Sequence, residues 1–132
     1  HNFPTRRSSE LATNYALHLM AYFVKHEGKE NLSLQPIATH MNISPTYLSK
    51  ILTQLVKADL IQSSAGVNGG YSLRKSKTEV SFYDVLQAIE GSGALFTCEM
   101  NENHVCKIEK VMREAEEKMV THLKEQRIYA II

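Results

Sequence analysis

The chain has 132 residues, 43% of them hydrophobic and 22% charged, with a net charge of +1 and two cysteines. This length suits one compact domain with an appended element, the composition excludes a disordered chain, and no apolar run approaches the ~20 residues of a transmembrane helix. The low cysteine count and the lack of a visible signal peptide indicate a protein of the reducing cytoplasm with no membrane partner.

The first half of the sequence predicts three helices. Apolar residues at three- and four-residue steps place the first helix over Ser9–Lys25. A short second helix is expected over Leu34–Met41, and a third over Ser44–Ala58. Ser44 is a favourable N-cap for the third helix, and the proline after it suits the first helical position.

A glycine-rich segment then separates two short predicted strands, Leu60–Ser64 and Tyr71–Leu73. The Asn-Gly pair inside this segment favours a hairpin turn, and its glycines disfavour a helix. Beyond the hairpin, a fourth helix is expected over Phe82–Glu90, ended by Gly91, and a long helix from Val105 to about Arg127. The apolar stripe of the long helix consists of Ile108, Val111, Met112, Ala115, Met119 and Leu123.

This order of elements predicts a mainly α fold with a small β-hairpin wing, in which a winged helix-turn-helix is followed by a long C-terminal dimerisation helix. We expect two parts: a DNA-binding winged helix-turn-helix over residues 6–80, and a helical dimerisation and possible sensing region over residues 81–132. Because the sequence begins with His1 rather than Met, residues 1–5 are expected to be a remnant of processing or cloning.

Charge is unevenly distributed between the two parts. Residues 1–80 carry nine Lys or Arg and five Asp or Glu, a difference of +4, whereas residues 81–132 carry six and nine, a difference of −3. A basic first part could face a polyanion such as DNA, which the acidic second part would repel. Ordinary scatter of surface charge would also produce an excess of this size.

The third predicted helix carries short polar side chains at its N-terminal end, as a helix that reads the major groove does. We expect Thr46, Tyr47 and Lys50 to face DNA, and Ser44 to cap the helix and touch phosphate. All the candidate DNA-binding residues are Ser44, Thr46, Tyr47, Ser49, Lys50, Gln54, Asn68 and Gly69. The same polar face would suit solvent or a protein partner, so a winged-helix interaction module without DNA binding is the alternative.

Four stretches of the sequence resemble the Rrf2 family of bacterial winged-helix transcriptional regulators. They are Asn14–Leu17, Ile43–Leu52, Gly66–Leu73 and Val80–Val85, and they follow the family's order within a similarity that runs from about Leu11 to Leu123. The resemblance implies a homodimer in which the long C-terminal helix crosses to its partner, and operator DNA with one half-site for each subunit.

The wing departs from the family's pattern at Ala65. Family members often carry an arginine at this position, just before the first wing glycine, and that arginine reaches into the minor groove. Its replacement puts minor-groove reading by the wing in doubt, and Asn68 could substitute as a polar contact.

Cys98 lies in the polar connection before the long helix, and Cys106 lies at the predicted start of that helix. Several members of the Rrf2 family, which this sequence resembles, bind an iron–sulfur cluster through three cysteines after the fourth helix. This chain has two, with His104 as the nearest further donor, so we expect no cluster and no zinc site. The two thiols could form a redox switch or could be inert packing residues, and a small-molecule effector is also open.

Catalysis is not expected, because no convincing nucleophile–base or carboxylate pair is present. The arrangement nearest to a dyad, Cys106 with His104, places both residues at a loop-to-helix junction, where the geometry is poor. The sequence therefore predicts a sequence-specific DNA-binding regulator that represses transcription in response to a redox or small-molecule signal, and not an enzyme.

Overall fold

The structure is a computed structural model that describes residues 4–91 and 107–132. It confirms a mainly helical fold with one two-stranded antiparallel hairpin. The elements are α1 (Pro4–Lys25), α2 (Leu34–Met41), α3 (Pro45–Lys57), β1 (Ile61–Ser64), β2 (Gly70–Leu73), α4 (Phe82–Glu90), α5 (Lys107–Glu125) and a final 3-10 turn (Ile128–Ile131). Cys98, Cys106 and His104 lie outside the described residues.

The predicted start of the first helix is wrong, because α1 begins at Pro4 rather than at a Ser9 cap. Proline favours the first turn of a helix, since its φ angle is already helical and it has no N–H to leave unpaired. The polar residues after Pro4 lack the apolar repeat that located the helix in the sequence. Residues 4 and 5 therefore belong to α1.

Helices α2 and α3 form a helix-turn-helix around a tight turn. Asn42 adopts the left-handed conformation, with φ of 55°, and the Ile43 amide donates to the Ala38 carbonyl at 3.1 Å. Apolar residues on one side of α3 are almost fully buried against α1 and α4, and this orients the opposite side outward. The buried residues of α3 are Leu48, Ile51, Leu52 and Leu55.

The hairpin is fastened to the segment that precedes α2. The Tyr71 amide donates to the Leu32 carbonyl at 2.7 Å, and the Leu32 amide donates to the Tyr71 carbonyl at 2.9 Å. A Cβ atom at Gly70 would lie 2.6 Å from the Leu32 oxygen, so the two backbones approach this closely only with glycine there. The wing is thereby held in a fixed position beside the helix-turn-helix.

The predicted end of the long helix near Arg127 also differs from the structure. Helix α5 ends at Glu125, and Arg127 is extended and forms an isolated β-bridge with Ser81. The Ile128 amide donates to the Val80 carbonyl at 2.9 Å, and both side chains are fully buried. Burying Ile128 in the core therefore ends the helix earlier than its apolar repeat indicates.

In contrast, α5 itself has no buried residue. Ile108 is 70% exposed, Val111 64%, Met112 43% and Met119 38%, all on the predicted apolar stripe. No helix in the described parts of the chain combines the length and the apolar character needed to cross a membrane.

Candidate DNA interface

The outward side of α3 presents a row of exposed polar side chains at steps of four, three and four residues. We call this row the recognition face; it consists of Thr46, Lys50, Thr53 and Lys57. These steps keep all four residues on one side of a helix, opposite the buried apolar residues. The face is therefore a continuous polar strip along the full length of the helix.

Ser44 caps α3, as the sequence predicts. Its backbone is extended, and its hydroxyl oxygen accepts a hydrogen bond from the Tyr47 amide at 3.1 Å. This bond satisfies one of the amide groups at the start of the helix, and Ser44 itself remains exposed. The other amides of the first turn and the helix dipole give this end a partial positive charge that favours an anion such as phosphate.

Tyr47 lies at the edge of the recognition face and is half-buried. Its ring packs edge-on against that of Tyr15 of α1, with 5.8 Å between the centroids. Burial, and to a smaller extent electrostatic interaction with the neighbouring Tyr15, raises the pKa of Tyr47 above its ordinary value. The phenol therefore stays protonated at neutral pH and can donate a hydrogen bond without adding negative charge.

Two predicted contacts lie on the flanks of α3, away from the centre of the recognition face. Ser49 is half-buried, and its carbonyl accepts a hydrogen bond from the Thr53 hydroxyl at 2.8 Å. The half-buried Gln54 donates from its side-chain amide to the Ile89 carbonyl near the end of α4, at 3.5 Å. Gln54 therefore faces α4, and contact between its amide and DNA would require this bond to break.

The wing tip joins β1 to β2 through five residues, from 65 to 69. Asn68 is exposed, and its carbonyl accepts a hydrogen bond from the Asn31 side chain at 3.0 Å. The Gly69 amide donates to the Gly66 carbonyl at 3.0 Å, which closes the turn. The sequence did not single out Val67, although this fully exposed side chain forms the apolar tip of the wing.

The basic residues after the wing are paired with carboxylates. The closest nitrogen–oxygen distances are 3.9 Å for Arg74 with Asp59, 2.9 Å for Lys75 with Asp84, and 3.6 Å for Lys77 with Glu27.

Within the described part of the chain, by contrast, no carboxylate lies within ion-pair distance of Lys50 or Lys57. Both lysines of α3 are therefore exposed and free of a carboxylate partner among the described residues. Lys50 is among the contacts predicted from the sequence and Lys57 is not, because the pairing of a lysine with carboxylates depends on the fold.

The described residues contain no group of three His, Cys, Asp or Glu side chains placed to hold a metal ion. The two cysteines and His104, which lie outside those residues, fall short of the three cysteines that the family resemblance implies for an iron–sulfur cluster. The donors of this chain therefore do not fit that pattern.

Comparison with known proteins places this geometry in a family. The sequence model of the Rrf2 family, described as an iron-dependent transcriptional regulator, matches residues 10–132. YwgB of Bacillus subtilis is 32% identical over an alignment 109 residues long that covers 77% of this chain and 69% of YwgB. The HTH-type transcriptional regulator NsrR of Halalkalibacterium halodurans is also 32% identical over 109 residues, covering 78% of this chain and 75% of NsrR.

Solved structures agree with the sequence comparison. The crystal structure of Staphylococcus aureus CymR has a TM-score of 0.74 and 27% identity, and the match covers 92% of this chain and 94% of CymR. An oxidized form of the same protein has a TM-score of 0.73 and 28% identity, with 91% of each chain covered. The chain therefore belongs to the Rrf2 family of winged helix-turn-helix transcriptional regulators.

Proposed function

We propose that the chain acts as a homodimer that binds operator DNA and represses transcription, with α3 of each subunit in the major groove. The observation that carries this proposal is the recognition face, which is exposed, polar along its whole length and carries two lysines without an acidic partner. An α-helix fits the major groove, and lysines neutralise the phosphates on either side of it.

The residues of α3 divide into two roles in this proposal. Thr46 and Lys50 lie nearest the N-terminal end, where a recognition helix reaches base edges, so they read sequence. Ser44, Tyr47 and Lys57 bind phosphates and so determine register rather than sequence. Gln54 contributes only if its bond to α4 opens, and Ser49 is a peripheral contact.

The wing contributes a contact to the sugar-phosphate backbone. Asn68 supplies a polar side chain at the tip, and the backbone at Gly69 can approach DNA closely because no side chain intervenes. The small Ala65 side chain offers no charge to the minor groove, so we expect little base reading by the wing.

The exposed stripe on α5 supports dimerisation through this helix. Helix α5 packs against α4 but has no fully buried residue, so its exposed apolar side chains suit a partner surface, and a second copy offers the same stripe. Two-fold symmetry then gives an operator with two half-sites. The proposal separates a DNA-binding part, residues 6–80, from a dimerising and sensing part, residues 81–132.

The signal in this proposal is oxidation of Cys98 and Cys106. Two thiols close in sequence to the start of the dimerisation helix suit a reversible switch, and one similar solved structure is an oxidized form of its regulator. We expect hydrogen peroxide to weaken DNA binding and dithiothreitol to restore it. The Cys98→Ser and Cys106→Ser variants should bind DNA equally well before and after peroxide, and a peroxide response that survives in both would refute the thiol switch.

The proposed function is tested by selecting bound duplexes from a random DNA pool at a fixed salt concentration in the cytoplasmic range. The wild type should enrich a two-fold symmetric sequence, to which Lys50→Ala binds at least about tenfold more weakly because it loses a base-edge contact. Lys118→Ala, in α5, is the matched control and should bind as the wild type does. A folded wild-type protein that enriches no sequence would favour the alternative, a protein–protein interaction module.

A further inference from the structure

A cavity of about 610 Å³ opens on the side of the helix-turn-helix, between α1, the end of α2 and the C-terminal 3-10 turn. We call it the α1–α2 pocket. Its volume lies within the range of small-molecule sites, which is about 300–1,000 Å³. No residue of the recognition face or the wing lines it, so it is separate from the proposed DNA interface.

One wall of this pocket is aromatic. The Tyr22 ring of α1 stacks on the His40 ring of α2, with 4.8 Å between centroids and 29° between planes. Tyr15 continues the wall along α1, and Ile131 of the 3-10 turn, 65% exposed, faces the same cavity. Flat rings and exposed aliphatic carbons together favour a planar apolar body, which stacks on the rings and covers the isoleucine.

The polar groups that line the pocket favour a ligand with negative charge. Lys25 and His40 line it and are exposed, and His18 lines it with its Nδ1 atom 3.0 Å from the Asn14 carbonyl. No lining side chain is acidic. A cationic lysine and imidazoles with no carboxylate side chain among them complement an anion and disfavour a cation.

The pocket lies directly against α2 and reaches α3 only through Tyr15. Tyr15 lines the pocket and packs edge-on against Tyr47, which lies in the first turn of α3. His40 and Met41 form the last turn of α2 and also line it. A molecule in the pocket therefore touches side chains whose positions affect the placement of α3.

We propose that the α1–α2 pocket is a binding site for a small planar aromatic carboxylate, whose ring stacks on the Tyr22–His40 wall and whose carboxylate pairs with Lys25. Binding does not require DNA. Its consequence rests on the proposed function, because a ligand that displaces Tyr15 or α2 changes the affinity of α3 for the operator, and the operator changes the affinity for the ligand by the same factor.

The test uses two fluorescent probes of the same shape, 2-naphthoate and its neutral analogue 2-naphthamide, titrated into the DNA-free protein. We expect saturable binding of one naphthoate per chain, about threefold to fivefold tighter than naphthamide, because only the carboxylate pairs with the exposed Lys25. Lys25→Gln should weaken the binding of naphthoate about threefold to fivefold, which is the effect of one exposed ion pair. The same substitution should leave the affinity for naphthamide unchanged. Lys29→Gln, a nearby exposed lysine outside the lining, is the matched control and should behave as the wild type does.

A second variant and a second measurement locate the probe. Ala21→Trp fills the pocket with an indole and should abolish saturable binding of both probes, while circular dichroism establishes that the variant is folded. Naphthoate should also shift the backbone amide NMR signals of Tyr22 and His40. Any one of three results would overturn the proposal. They are no saturable binding to the wild type, equal binding of both probes to the wild type, and equal losses of naphthoate affinity in Lys25→Gln and Lys29→Gln. Because no DNA is present, these outcomes are distinct from a failure to bind operator.

Discussion

A lysine can bind DNA phosphate strongly only if its charge is not already neutralised by a neighbouring carboxylate. Among the described residues, Arg74, Lys75 and Lys77 have such neighbours, whereas Lys50 and Lys57 do not. The basic excess of residues 1–80 is thus a poor guide to the interface when it is summed over the sequence. Individual pairings, which depend on the fold, decide which charges are available to a polyanion.

We predict that Lys57→Ala weakens binding to every duplex by a similar factor, whatever its sequence. Lys57 contacts phosphate in the proposed complex, so its loss removes about one counterion-releasing contact and lowers the slope of log K against log salt by about 1. Fluorescence anisotropy over a series of salt concentrations measures this slope, with Lys118→Ala as the control. A change confined to one duplex sequence would instead show that Lys57 reads bases.

Both the backbone conformation of Gly70 and the space around it restrict substitution. Its φ is +132°, and a Cβ atom there would lie 2.6 Å from the Leu32 oxygen. Gly70→Ala should therefore lower the free energy of unfolding by at least about 2 kcal/mol, through backbone strain and loss of the Leu32–Tyr71 bridge. Urea denaturation followed by circular dichroism measures the change.

Gly28 provides the matched control for this substitution. Its φ is +85°, but a Cβ atom there would meet nothing within 4 Å. Gly28→Ala should cost only about 1 kcal/mol, the penalty of the left-handed conformation alone. If Gly70→Ala and Gly28→Ala lower the free energy of unfolding equally, the close approach of the wing to Leu32 contributes nothing to stability.

At the scale of the elements, α4 is held by a capping box that includes a partly buried ion pair. The Ser81 hydroxyl accepts from the Asp84 amide, and the Asp84 carboxylate accepts from the Ser81 amide, each at 3.0 Å. Lys75 donates to the same carboxylate at 2.9 Å. Burial opposes ionisation of Asp84, but the hydrogen bonds from Ser81 and Lys75 outweigh it and hold the pKa of Asp84 below its ordinary value of 3.8.

We therefore predict that Asp84→Ala lowers the free energy of unfolding at pH 7 by about 1 kcal/mol, the usual cost of losing a cap. Because the pKa of Asp84 is lowered in the folded state, its ionisation stabilises the wild type fully above the ordinary carboxyl pKa. This stability is lost as the pH falls below about 4 and through the lower folded-state value. The difference between wild type and variant should accordingly shrink below pH 4.

Urea denaturation at pH 7, 5, 4 and 3 measures this difference. Glu79→Gln, an exposed carboxylate just before the cap, is the control and should show little change at any pH. If the difference in the free energy of unfolding between wild type and Asp84→Ala is constant from pH 7 to pH 3, the charge of the carboxylate does not contribute to the stability of α4.

The sequence located those elements whose ends are marked by local signals. Helices α2 and α4 have the predicted bounds, since a turn closes the first, while Ser81 and Gly91 mark the two ends of the second. The end of α5 depends on burial of Ile128 beside Val80, which is a contact between residues far apart in the sequence. No local pattern could indicate it.

The same distinction applies to the candidate site. The Ser44 cap and the exposed positions of Thr46 and Lys50 follow from helical periodicity, and the structure places them as the sequence indicates. The bond between Gln54 and α4 depends on how two helices pack, as does the α1–α2 pocket, where three separate elements meet. Such features arise only from tertiary packing.

At the scale of the whole molecule, the described chain has one compact core and one helix outside it. The core joins α1, α2, α3, the base of the hairpin, α4 and the 3-10 turn, whereas α5 contributes no buried residue. An amphipathic helix that leaves its apolar stripe exposed is unfavourable in water unless a second molecule covers it. In a two-fold dimer the same stripe serves both subunits and sets the distance between the two copies of α3.

We predict that Met112→Lys, in the middle of this stripe, converts the proposed dimer into a monomer. The substitution places one charge from each subunit in an apolar interface, and should raise the dimer dissociation constant by at least about tenfold. Thr121→Lys adds the same charge to an exposed position on the other side of α5, so this control should remain dimeric. Size-exclusion chromatography with light scattering measures the mass of each. If both variants stay dimeric with unchanged dissociation constants, the interface lies elsewhere. If Met112→Lys is monomeric and also loses binding to the operator with two half-sites, α5 is the element that couples the DNA-binding parts of the two subunits.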